Sequence, residues 1–334
     1  MTAATPASEG GLARRVRDEP VGRRRAGGIA RQRGSAESEA IAAPSRRAPN
    51  RRRATNVAAQ VFMIVMTVLW VTPILFSLYV ALRPQSETNK LGYVSLPHHL
   101  TFENFTDAWS QSQMWKFFLN SVYITVPAVL LTLFLASMFA YVVSRLSFRL
   151  NIPLLILFTA GNLLPQQVII TPLYRLYLTI HVPHFISGSG LLYNSYAGLI
   201  VINTAFQLGF CVFVLSNYMK TLPAEIDEAA IMDGASLWTR YWRLTLPLCR
   251  PALAALATLL TTWIYNDFFW AITLISTGDK RPITSALANL QGQFVSNHNM
   301  IAAAALIAAI PTLVVYVLLQ KQFIAGLALG SSKG

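Results

Sequence analysis

Long apolar runs alternate with short polar segments over most of the chain. Beyond about residue 57, six runs each approach or exceed the ~20 residues that a helix needs to cross the hydrocarbon of a bilayer. They lie at roughly 57–82, 117–144, 151–173, 190–219, 248–276 and 299–320. The second contains no charge, and the fifth is interrupted by Asp267. Pro73, Pro127, Pro165 and Pro311 fall inside such runs, where membrane helices tolerate proline better than soluble ones do. The pattern predicts an all-α, polytopic membrane protein with six transmembrane helices.

The longest polar interruption between runs is residues 220–250, and it contains EIDEAAIMDGASLWTRYWRLTLP. Its opening has helix-start chemistry. Thr221 is followed by Pro223 in the first turn, then by Glu225, Asp227 and Glu228 near the positive end of the helix dipole. Gly234 suits a helix stop, and Ser236 suits the cap of a second short helix, which is expected to end at Pro247. In that helix Trp238, Tyr241 and Trp242 share one side, and Arg240 and Arg243 another. The segment therefore predicts two short helices joined at a glycine corner, a docking surface in shape.

Composition agrees with a membrane protein. Charged residues make up 12% of the chain, about half the ~25% of a soluble domain. The net charge of +13 is not spread evenly, because thirteen of the 21 arginines precede residue 54. Residues 1–56 have no apolar periodicity and are expected to form a disordered basic tail on the cytoplasmic side, attracted to anionic lipid. No apolar signal core follows RRVR or GRRRAGG, which argues against a secretory or twin-arginine leader. With the amino terminus inside, inner segments hold 21 basic residues and outer ones six. The positive-inside rule then places both termini in the cytoplasm, largely on the strength of the tail. Cys211 and Cys249 lack paired spacing and read as packing residues. The five histidines form no H-x-x-x-H pattern, and His98–His99 reads as a hydrated loop feature rather than a ligand pair.

EAAIMDGASLWTRYWRLTLP resembles the EAA motif of ATP-binding-cassette (ABC) importer permeases. Glu228, Ala229, Ala230, Gly234, Leu246 and Pro247 match it position by position, and Asp233 stands within it. ALRP at 81–84, LTFENFTDAW at 100–109, FFLNSVYITV at 117–126, YNDFFWAITLI at 265–275 and QKQFIAGLALGSSKG at the end resemble the maltose-type sugar permease subunit with six spans. The likeness covers about 57–334. It implies a type I importer permease domain that pairs with a second related permease. It also implies a dimer of ABC ATPases gripping the 220–250 loops and an extracytoplasmic binding protein that delivers a carbohydrate. On that resemblance Glu228 contacts the ATPase, Ala229 and Ala230 allow close approach, and Gly234 sets the corner.

Polar residues at membrane depth are costly and face a cavity or a partner. Asn162 and Gln166 are four apart in the third run, and Asn203 and Gln207 four apart in the fourth, so each pair shares a helix face. Tyr265, Asn266, Asp267 and Trp270 cluster in the fifth. Amides beside aromatic faces suit a neutral hydroxylated ligand passing through. The same residues also suit interhelical hydrogen bonds that fix packing, and Asp267 suits a basic residue of a partner permease. Ala304 and Ala308 predict a close helix-packing face.

The chain carries no nucleophile–base pair, zinc spacing or G-x-x-x-x-G-K-[ST] loop, so no enzymatic activity, metal or cofactor of its own is expected. ATP and magnesium belong to a separate ATPase. Two other classes remain in view: an autonomous secondary transporter or channel, which calls for ionisable relays at the midplane, and a membrane-anchored nucleic-acid binder using the tail. Nucleic acid is not an expected partner.

Overall fold

The structure is a computed structural model that describes residues 49–111, 113–146, 149–163, 165–287 and 297–331. Side chains at 49–55, 111, 162, 163 and 321–331 lie outside that description. Most of the basic tail, and with it the expectation of disorder there, also lies outside. By internal packing the chain divides into two units, residues 1–68 and 69–334.

Among the described residues the first unit holds the beginning of helix α1 (Pro49–Ala81), whose apolar stretch runs from Asn56. Val61, Phe62, Ile64 and Val65 are all exposed there.

Among the described residues, the regular elements of the second unit are helices, apart from one isolated bridge between His181 and Leu191. After the end of α1 come two short helices, α2 (Gln85–Leu91) and α3 (Glu103–Gln111). The long α4 (Met114–Arg145) follows. Then come α5 (Asn151–Leu163), a 3₁₀ turn (Gln166–Ile169) and α6 (Ile170–Thr179). Helix α7 is Tyr196–Thr221, α8 is Ala224–Met232, α9 is Leu237–Leu248 and α10 is Arg250–Tyr265. The chain closes with α11 (Phe269–Leu274), α12 (Ile283–Ala286) and α13 (His298–Ser331).

Four of the six predicted spans are long helices with ends near those expected: Asn56–Ala81, Met114–Arg145, Tyr196–Thr221 and His298–Gln320. The other two are broken. The third is a bent pair, Asn151–Gly161 and Gln166–Thr179, meeting at 88°. Pro165 stands directly before the second piece and offers no N–H to continue the first. The fifth departs further from one rod over 248–276. Helices α9 and α10 meet at 71°, α10 stops at Tyr265, and the chain runs non-helical past Asn266 and Asp267 before α11 begins.

The core lies along α4, α7 and α10. Ala128, Ala136 and Ala140 of α4 are fully buried, as are Cys211, Val212, Leu215 and Met219 of α7 and Leu260 of α10. The small side chains of Ala128, Ala136 and Ala140 let helix backbones approach where lipid supplies no hydrophobic drive. Cys211 and Cys249 both pack inside this core. Ala303, Ala304 and Ala308 of α13 form a second buried face with Tyr265, the face expected at Ala304 and Ala308. Hydroxyls at depth satisfy themselves against the preceding turn: Thr132 donates to the Ala128 carbonyl at 2.7 Å and Thr258 to that of Ala254 at 2.9 Å.

Where α1 ends, a buried arginine organises the following loop. Arg83 is fully buried and donates to the carbonyls of Gly92 and Tyr93 (3.0 and 3.3 Å), to Glu87 (3.1 Å) and to Ser95 Oγ (2.8 Å). Its own carbonyl accepts from Asn104 and Asn299, at 2.7 and 2.8 Å. Glu87 in turn accepts the main-chain N–H groups of His98 and His99, at 3.0 and 3.3 Å. Those contacts, with the His98 N–H foremost and the Arg83 guanidinium beside it, hold the Glu87 carboxyl below the usual range. The two imidazoles themselves are exposed.

Candidate docking loop and intramembrane cavity

The 220–250 loop forms the two helices and the glycine corner that its sequence predicts. Helix α8 begins one residue later than expected: Pro223 precedes it, and Thr221 belongs to the end of α7, its hydroxyl donating back to the Tyr218 carbonyl at 2.7 Å. The end of α8 is a Schellman motif. Gly234 takes φ +73°, its N–H reaches the Ile231 carbonyl at 3.0 Å, and the Ala235 N–H reaches that of Ala230 at 2.9 Å. A methyl group on Gly234 would meet nothing within 4 Å, so backbone conformation alone requires glycine there. Ser236 caps α9 by accepting the Thr239 N–H at 3.2 Å.

Pro247 does not end α9. The helix widens to i→i+5 bonding over Arg240–Thr245 and continues through Leu246–Leu248. A proline inside a helix removes one N–H and crowds the carbonyl four residues back, and a π-turn just before it accommodates both effects. The helix ends at Cys249, with Pro251 in the first turn of α10.

Four contacts fasten this loop to the end of α4. Arg145 pairs with Asp227 at 3.1 Å, each side chain only 13–14% exposed, and also donates to the Leu222 carbonyl at 3.3 Å. The Tyr241 hydroxyl lies 2.7 Å from Ser137 Oγ in a buried hydrogen bond, and its ring packs 5.3 Å from that of Tyr141. With Asp227, Ala230 and Tyr241 turned inward, the opposite face is left open. Glu228, Ala229, Asp233 and Gly234 are exposed, Leu246 and Pro247 half-buried, and Met232 is 87% exposed beside Ile231 and Trp238.

The second feature is a cavity of about 480 Å³ at the break in the fifth span. Gln166, Asn203, Gln207, Asn266, Asp267 and Trp270 line it, so six of the eight polar and aromatic residues singled out in the sequence converge from three separate runs. Asp267 organises the break. One carboxyl oxygen accepts the Trp270 N–H in the first turn of α11, and the other accepts the Asn203 amide, both at 3.2 Å. Its carbonyl accepts the Thr284 hydroxyl at 2.9 Å. Tyr265 points elsewhere: it packs in the second core and donates to the Ala308 carbonyl at 3.3 Å. The side chain of Asn162 lies outside the described residues.

The profile of the binding-protein-dependent transport system inner membrane component matches residues 128–327, a stretch that includes the loop and every residue around the cavity. The chain belongs to that family. It is a multi-pass inner-membrane permease of an importer. Similar proteins include the melibiose/raffinose/stachyose import permease MelC of Bacillus subtilis, 32% identical over 71% of this chain and 83% of that one. The diacetylchitobiose uptake permease NgcG of Streptomyces coelicolor is 30% identical over 86% and 92%. A bacterial ABC transporter that imports the acidic polysaccharide alginate shares the fold, with a TM-score of 0.68 at 20% identity, covering 81% of this chain and 97% of that one.

Sequence reasoning missed several residues of this permease. Arg145, the partner of Asp227, is distant in sequence and shows no signal except its place at the end of a span. Met232 was passed over between two motif positions. Around the cavity, Phe206, Thr262, Trp263, Phe268 and Phe269 also line the wall. The aromatic run FFW beside Asn266–Asp267 was the available clue.

Proposed function

We propose that the permease is the translocating subunit of an ABC importer for a carbohydrate, an oligosaccharide or a sugar derivative. It works beside a second related permease, and an extracytoplasmic binding protein delivers the solute. An ATPase dimer holds the ATP and magnesium, since this chain has no phosphate-binding loop of its own. The observation that carries the reading is the mounting of α8. Its inner face is anchored through Asp227 and Ala230, while Glu228, Ala229 and Met232 face outward as a rigid surface. A short helix fastened at both ends transmits a push that a coil would absorb. On this reading the α8–α9 loop and both termini are cytoplasmic, and Glu228 and Asp233 meet polar groups of the ATPase. The small side chain of Ala229 permits close approach of the ATPase, that of the buried Ala230 lets α8 pack closely on the permease itself, Gly234 sets the corner, and Leu246 and Pro247 end the surface. The saccharide-import names of the relatives support the substrate class.

The experiment is purification of the tagged permease from its native membranes in mild detergent, with mass spectrometry of what accompanies it. An ATPase and a second six-span permease are expected. In Glu228→Lys the ATPase should be lost while the second permease is kept. Recovery of the chain alone across several detergents would instead favour an autonomous transporter.

A further inference from the structure

The cavity at the broken fifth span carries chemistry that ATPase docking does not use. Its volume of about 480 Å³ falls within the ~300–1,000 Å³ of small-ligand sites. Among the described residues the side-chain amides of Gln166 and Gln207 make no hydrogen bond, although both line the wall at membrane depth. An uncommitted amide there is costly unless something polar visits it. The indole N–H of Trp270, on the same wall, is buried and also lacks a partner. Trp263 and Phe268 remain partly exposed at the cavity, and their flat apolar faces suit the C–H face of a sugar ring. Amides supply a donor and an acceptor each, as paired hydroxyl groups require.

Charge narrows the class. Of the described residues lining the cavity, Asp267 alone is ionisable, and both its oxygens act as acceptors. Among the described residues no lysine or arginine lines the wall to offset it. In a site of low dielectric a negative charge with no cation beside it is strongly disfavoured. We propose that the cavity is a saccharide subsite carried by this subunit itself, fitted to a neutral, hydroxyl-bearing sugar unit and closed to anionic ones. The proposal rests on the reading of the chain as a carbohydrate permease.

The test uses the permease with its co-purifying subunits in lipid nanodiscs and follows quenching of tryptophan fluorescence. Raffinose and diacetylchitobiose serve as neutral probes and digalacturonate as the anionic one. At least one neutral probe should quench saturably, with a signal reduced in Trp263→Phe. Its affinity should fall roughly three- to tenfold in Gln166→Ala and in Gln207→Ala, the loss of one hydrogen bond each. Digalacturonate should give no saturable quenching until Asp267→Asn is introduced. Three results overturn the proposal: digalacturonate binding the native complex as tightly as a neutral probe, neutral binding unmoved by both glutamine variants, or no saturable response to either neutral probe. The same preparation separates the two readings. If the ATPase co-purifies while the glutamine variants bind normally, the subsite fails and the importer stands. If no ATPase is present while probe binding depends on the two glutamines, the importer reading fails and the subsite stands.

Discussion

At the scale of single residues, two positions show opposite reasons for being what they are. Gly234 has open space around it, and only its left-handed φ of +73° excludes other residues. Gly234→Ala should therefore cost about 1–2 kcal/mol at the end of α8 and modestly lower ATPase retention in the purified complex. Gly234→Pro also removes the N–H that reaches Ile231, and should abolish that retention while membrane insertion stays normal. Glu87 is constrained by its contacts. Because the His98 N–H and Arg83 lower its pKa in the folded state, its contribution is present above the ordinary glutamate value of about 4.3. It is lost as pH falls through the lowered folded value. Hydrogen exchange at the His98 and His99 amides, relative to the intrinsic rate, should accordingly accelerate only as pH falls below the ordinary glutamate range, and at all pH values in Glu87→Gln.

At the scale of elements, Arg145–Asp227 and Ser137–Tyr241 fasten the α8–α9 loop to the end of α4 at two separated points. Arg145→Asp and Asp227→Arg should each weaken ATPase binding, and the double exchange should restore much of it. A double-mutant cycle on the affinity of the purified complex for its ATPase should return a coupling of about 0.5–3 kcal/mol. No coupling would mean that α8 is held by other contacts. The broken fifth span shows the same economy of anchoring. Asp267 joins α7 through Asn203 and α11 through the Trp270 N–H, and the non-helical segment between α10 and α11 lines a cavity, the setting in which irregular backbone at membrane depth is tolerated.

At the scale of the whole molecule, the proposed topology separates two exposed apolar sites. Met232, on the α8–α9 loop, is 87% exposed, and Leu96, in the loop after α1, is 85% exposed. In intact cells, Leu96→Cys should react with a membrane-impermeant maleimide and Met232→Cys should not; in inside-out vesicles the pattern should reverse. Cys211 and Cys249 are buried and should remain silent in both. Labelling of both engineered cysteines from the same side would overturn the orientation.

The order and length of apolar runs determined the helices by themselves, because a bilayer leaves a run of ~20 apolar residues little alternative to helix. Local chemistry likewise determined the corner between α8 and α9: Ser236 and Gly234 act on backbone groups within a few residues of themselves, so no distant information is needed. The breaks in the third and fifth spans were not legible as breaks, since hydropathy reports burial in lipid and is blind to the path of the backbone. Nor was Tyr265 separable from its neighbours Asn266 and Asp267. Which face of a helix end meets α13 and which meets the cavity depends on the angle at which α10 packs. The pairing of Arg145 with Asp227, and the convergence of Gln166, Gln207 and Asp267 on one cavity, were decided only by tertiary structure, because each depends on packing between helices far apart in sequence.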